Sequence, residues 1–454
     1  MAEDNLPGLE LPGLELPAHQ VVRRAPEGAI SPTLEGLPAE LRTILLMSVP
    51  NLATLSRLVH ASPVFHAQYL LDRKSMLTRV FLTETTEDVF VDVYAAFRSR
   101  PSKIGPPMGP NTNVTSFLAL YRIWRSPSAT DRPTLETCSL DRICWMARFH
   151  QSTVNPLATY FIFWMLANFR SSPVQPNSRS PEATEVLTRT EKTRLTRALY
   201  RFEVFCHLFC GSQYERFVAM DINEVFFSDL DLAPWEAEEM NCIYAFVKQN
   251  YEAVVDDVKW DLNEENPKFN GQFEPELQGL AFPIDQDYDG FLNGTIGHGG
   301  LKLALEMIKA ASHYERVDLM TKSLQNEGDF FEEAVGFAAQ RHRRDIQFDD
   351  RDRAEERRQA MPFAGDDAGA PPIVWTLLWG GKYSNLFGEY IPDEIRRWGY
   401  VFWDAHRIDL DDTKDYLKDL WASSPVLMRV CRHWPWTSDV LEALGRYVAA
   451  AENH

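Results

Sequence analysis

Cysteine is scarce: six residues in a chain of 454, at positions 138, 144, 206, 210, 242 and 431. So few thiols exclude a disulfide-built scaffold and fit a reducing compartment. Cys206 and Cys210 flank His207 one helical turn apart. A zinc site needs about four converging ligands, and no second ligand pair accompanies them, so both are expected to pack in a core. Long apolar runs are lacking too. The longest, residues 157–169, has 13 residues, short of the roughly 18 a membrane span needs. It reads as a buried helix, and no membrane partner is expected. The N-terminus has no basic start followed by an apolar stretch, so no signal peptide is read, and the expected location is cytoplasmic or nuclear.

An excess of positive charge is also missing. The formal net charge is −19, and residues 221–290 carry eighteen Asp or Glu against three Lys. That surface should repel phosphate backbones, so no nucleic-acid partner is expected through it. The run is read as a solvated acidic face. Catalytic signatures are absent as well: no nucleophile elbow, Walker loop, dinucleotide fingerprint or zinc-protease helix occurs. His298 stands alone in a Gly-His-Gly-Gly turn, which reads as a helix start. No enzyme and no cofactor are expected. Asp285, Asp287 and Asp289 with Gly290 imitate the opening of a calcium loop, but the twelfth position is Ile296, where a bidentate Glu is needed. An acidic turn ahead of a helix accounts for them better, and no metal is assigned.

What is present is helical periodicity. Residues 1–33 repeat Leu-Pro-Gly-Leu-Glu twice, at 6–10 and 11–15, and are too rich in Pro and Gly for a helix or ladder. From residue 34 the pattern changes. Leu37, Leu41, Ile44 and Leu45 form one apolar stripe, with Pro38 suited to a helix's first turn. Pro50 stops that helix and Asn51 can cap a second one carrying Leu52, Leu55, Leu58 and Val59. Ser62-Pro63 repeats the cap-then-proline start for a third helix through Phe65 and Tyr69. Farther on, residues 191–209 put Leu195, Leu199, Phe202, Phe205 and Phe209 on one face and Arg194, Arg197 and Arg201 on the other, the strongest amphipathic pattern in the chain. Helices are also predicted over about 235–258, 300–311 and 391–404. The spacing of Trp398, Val401 and Phe402 marks core. Ser- and Pro-rich residues near 171–183 and the charged then Gly/Ala/Asp/Pro-rich span 341–372 read as loops, the latter holding the basic cluster 341–344. No alternating-strand or βαβ rhythm appears. The fold class is therefore all-α: a short three-helix module at 34–83 and a larger irregular helical domain at 84–454.

The three-helix module resembles the divergent F-box found in filamentous fungi. Leu37-Pro38, Glu40-Leu41, Ile44-Leu45, the Pro50-Asn51-Leu52 break and residues 55–62 carry the likeness, over about one-tenth of the chain. Residues 191–209 and 396–408 are similar to segments of fungal F-box-like proteins. The chain departs from the usual pattern at Ala61-Ser62-Pro63-Val64-Phe65, where an aromatic residue, often Trp, opens the third helix. The resemblance implies a ubiquitin-ligase adaptor that docks on a Skp1-like protein through Leu37, Pro38, Leu41, Ile44, Leu45, Leu52, Leu55 and Val59. Its C-terminal helical domain would hold a protein substrate for ubiquitination, and it would work by proximity rather than chemistry. The alternative is a helical scaffold whose N-terminal stripes pack on its own body.

Overall fold

The computed structural model describes residues 33–100, 112–126, 128–172, 174, 186–210, 222–228, 230, 232–269, 282–326, 330–336, 365–379, 387–388 and 391–423. The repeat-bearing tail, most of the first predicted loop, residues 341–364 of the second and Cys431 lie outside the described residues. Those described are all-helical. Among them there is no strand, only an isolated bridge between Asn263 and Phe282. No helix among them is long and apolar enough to cross a membrane.

After a 3-10 turn, Leu34–Gly36, the described residues begin with three short helices: α1 (Ala39–Met47), α2 (Leu52–Ala61) and α3 (Pro63–Leu71). The starts of α2 and α3 follow the predicted caps, whereas Pro38 sits at the N-cap of α1 rather than inside its first turn, and α1 ends at Met47. Asn51 Oδ1 accepts from the Thr54 N–H at 2.8 Å and Ser62 Oγ from the Phe65 N–H at 3.4 Å, with Pro63 in the first helical position. The fourth helix, α4 (Arg73–Ser99), runs straight through the expected module boundary at residue 83. It bends just after that point, at Thr86, whose φ of 65° is the only positive value at a non-glycine residue among those described.

The body is built around α8 (Arg189–Phe209), preceded by α5 (Thr112–Arg125), α6 (Leu140–Phe149) and α7 (Asn155–Arg170). A π-helical turn, His150–Val154, joins α6 to α7. Three more long helices follow: α9 (Pro234–Leu262), α10 (Tyr288–Lys309) and α11 (His313–Ser323). Helix α8 packs against α4, α9 and α10 at once. It is consequently buried on both faces, and Arg194, Arg197 and Arg201, the expected polar side, are interior. The correction has a physical reason. Carboxylates delivered by α4, α9 and the C-terminal segment neutralise each guanidinium, so the second face is covered as fully as the apolar one.

The acidic run divides by helical phase. Glu238 and Glu239 of α9 point inward and are fully buried, whereas Asp256 and Asp257 face solvent. Only part of it is the solvated face that its composition suggests. The predicted helix over 391–404 shrinks to α14 (Asp393–Arg397), because Gly399, at φ 66°, turns the chain. Between α11 and α14 lie α12 (Phe330–Gly336) and α13 (Ile373–Leu378), and α15 (Leu410–Ser423) is the last described element. Trp375, Trp379, Trp398 and Trp403 are all fully buried, so the tryptophan-rich stretch is core, reached through turns rather than one helix. The Gly-His-Gly-Gly turn lies within α10, where Gly300 at φ 54° separates two helical halves.

Candidate functional site

The first helical module splits the eight predicted docking residues into two sets. On α1, Leu41 is 47% and Ile44 59% exposed and Leu45 is half-buried; just ahead of it, Pro38 is exposed and Leu37 half-buried. Leu34, not among the eight, adds a third open side chain at 57%. It lies on a 3-10 turn, Leu34–Gly36, that extended backbone at Leu37 and Pro38 separates from α1, so the helical spacing of the stripe did not mark it. On α2, by contrast, Leu52, Leu55 and Val59 are at most 5% exposed and belong to the molecule's own core. Phe65, at the place where the F-box pattern has its aromatic, is 1% exposed and therefore interior too.

Polar contacts hold α1 in place so that this stripe stays outward. Arg42 donates to the carbonyls of Glu35 and Leu37, both at 3.0 Å, which pins the preceding turn. Gln68 Nε2 donates to Thr43 Oγ1 at 2.9 Å, tying α1 to α3, while Leu46 is buried beneath. The α2 set is locked from the other side. The Leu52 N–H donates to Glu84 Oε2 at 2.9 Å, and Asn155 Nδ2 donates to Glu84 Oε1 at 2.5 Å. Glu84 thus joins the N-terminal helices to α7 across the bend in α4. Between α2, α3 and α6 lies a cavity of about 260 Å³ with Leu52, Leu55, Val59 and Leu77 in its lining.

A second concentration of chemistry is the ionic layer on α8. Arg194 pairs with Asp404 at 2.9 Å, Arg197 with Glu239 at 3.0 and 2.5 Å, and Arg201 with Asp92 at 3.1 Å and Glu236 at 2.7 Å. Arg125 adds a further bond to Glu236 at 2.9 Å, and Arg396 and Arg407 clasp Glu238 and Glu191. Residues 367–368, predicted as exposed loop, are docked here, since their carbonyls accept from Arg194 and Arg197. Burial opposes the charge on Glu236, yet Arg201, Arg125 and Arg197 hold its carboxyl well below the usual carboxylate range. Burial pushes Glu238 and Glu239 up, against the arginine that each faces. Each of these carboxylates is engaged by an arginine at hydrogen-bond distance, an arrangement that cross-links helices.

The remaining sequence candidates have local roles. Asp285 accepts from Asn263 Nδ2 at 2.5 Å and Asp287 caps α10 by accepting from the Gly290 N–H at 3.1 Å, so the calcium-loop mimic serves a turn and a cap. His298 is exposed. Cys206 and Cys210 are buried. Among the described residues, the only cluster with metal-ligand spacing is Asp366, Asp404 and His406, where Asp404 is already committed to Arg194. No family model, curated protein or solved structure matches this chain.

Proposed function

We propose that the chain is an F-box-type adaptor, docking on a Skp1-like protein through α1 and presenting a protein substrate held by its helical body for ubiquitination. The observation that carries this reading is the exposure of Leu41 and Ile44, 47% and 59%, on a helix whose opposite side is fixed in the core. Apolar anchors laid into a partner's groove, here Leu41 and Ile44 on α1 and Leu34 and Leu37 on the turn before it, gain on the order of 1.5–3 kcal/mol per side chain fully covered. Leu34, Leu37, Leu41 and Ile44 form the contact in this proposal. Leu52, Leu55 and Val59 support it from inside and do not touch the partner.

Their burial favours a second reading, a helical scaffold with no part in ubiquitin transfer, in which the N-terminal helices are a retained piece of core. Co-purification decides between the two. A Skp1-like protein should be recovered with the wild-type chain and lost with the Leu41→Ala, Ile44→Ala double variant, while the melting temperature stays within about 1–2 °C because neither side chain is buried. Equal recovery with both chains, or none with wild type, would remove the adaptor reading and leave the scaffold.

A further inference from the structure

The groove between α2, α3, the start of α4 and α6 joins an apolar floor to basic side chains, one of which, Arg73, also donates to the Tyr69 hydroxyl at 3.3 Å. Its floor is aliphatic, from Leu52, Leu55, Val59 and Ala147. His60, His66, Arg73 and Arg148 stand among its lining, and none of the lining residues is acidic. At about 260 Å³ it is smaller than the roughly 300–1,000 Å³ of a drug-sized ligand site. It suits one or two aliphatic side chains carried by a chain with negative charge.

The protein's own N-terminus has that chemistry. Residues 1–17 contain Glu3, Asp4, Glu10 and Glu15 and no Lys or Arg, with leucines at 6, 9, 11, 14 and 16. Leu6 and Leu9, like Leu11 and Leu14, are three apart, a spacing that each copy of the repeat reproduces. The described chain begins at Thr33. Glu35 accepts from Ser62 Oγ at 2.5 Å, and Ser62 is the corner between α2 and α3, two residues from His60 and four from His66. Seventeen residues, 16–32, lie between Glu15 and Thr33, and the random-coil span of a chain of that length averages about 20–25 Å.

We propose that this groove is an intramolecular receptor for the Leu-Pro-Gly-Leu-Glu repeats of residues 6–15: leucines enter the aliphatic floor and the glutamates face Arg73, Arg148 and the histidines. A short tether makes even weak recognition effective, since it supplies a local concentration on the order of 1 mM. The inference is independent of the adaptor reading, because α1 contributes nothing to the groove.

Cys144 lines the groove and is half-buried, whereas Cys138, Cys206, Cys210 and Cys242 are buried. It is therefore a native reporter in the full-length chain. The rate of its alkylation by N-ethylmaleimide, followed at that peptide by mass spectrometry, should rise about tenfold in the Leu9→Ser, Leu14→Ser variant, as for a ~0.1 mM site released from a ~1 mM tether. Adding a synthetic peptide of residues 6–17 to that variant should restore protection, and a scrambled peptide should not. Unchanged alkylation in the variant, or a peptide that protects no better than its scramble, overturns the proposal and leaves the groove to another chain. Protection in the wild type that fades on dilution also overturns it, by showing that a second copy supplies the tail.

Discussion

His150 shows how far a single side chain can be removed from its ordinary chemistry. It sits in the π-helical turn before α7, fully buried, with Nδ1 2.9 Å from the Tyr200 hydroxyl and Nε2 3.8 Å from Glu84. Burial first, and Lys192 second, push its pKa down to about 3. The imidazole is thus neutral in the folded state at every pH where the unfolded chain begins to protonate it, near 6.5. Below that value the unfolded state binds more protons, so stability is complete above about pH 6.5 and is lost as pH falls toward the folded value. Between pH 7.5 and 5.5 the loss from this one group should be about 1.4 kcal/mol. Urea unfolding of wild type and His150→Gln at the two pH values isolates it. The variant should lack that part of the pH dependence, and parallel curves for the two proteins would show that His150 does not cause it.

At the scale of one element, α10 depends on a glycine for its bend. Gly300 adopts φ 54°, and a β-carbon there would lie 2.7 Å from Glu203 Oε2. The same oxygen accepts the Leu301 N–H at 2.8 Å and so caps the second half of the helix from inside the core. An alanine would meet both a disfavoured backbone region and the capping carboxylate. Gly300→Ala should cost about 1–3 kcal/mol of unfolding free energy, read as a lower urea midpoint at unchanged slope. A variant as stable as wild type would mean that the helix can straighten without losing the Glu203 contact. The Gly-His-Gly-Gly sequence signalled a turn at this place. It did not signal that helix would continue on both sides, because that continuation rests on packing against α8 and α9.

Across the molecule, the ionic layer on α8 joins segments that no local rule would bring together. Arg197 meets Glu239 from 42 residues away and Arg194 meets Asp404 from 210. Replacing one member leaves a buried charge without its partner, a loss of about 3–5 kcal/mol when geometry is good. Arg197→Leu should therefore lower stability by that amount. Lys322→Ala, which breaks an exposed pair with Asp318, should leave the midpoint unchanged, and the effect of Arg197→Leu should persist in high salt because buried pairs are little screened. Equilibrium urea unfolding of both variants at low and high salt measures this, and equal effects would count against a buried role for the layer.

Much of the architecture was legible in the sequence. The 3.6-residue periods give an all-helical chain, Asn51 and Ser62-Pro63 mark where α2 and α3 begin, and the tryptophans of residues 375–403 announce core. These are local properties, fixed by propensity, capping and spacing within a turn or two of the residue concerned. Which faces are covered was decided only by tertiary structure. The stripes on α1 and α2 look alike in sequence, yet Ile44 is 59% exposed and Leu55 3%. The arginines of α8 look like a solvent face and are interior. Periodicity states that a helix has two sides. Whether each meets water, an apolar neighbour or a carboxylate depends on segments tens to hundreds of residues distant, whose placement is settled by packing and by the cost of leaving a buried charge unpaired.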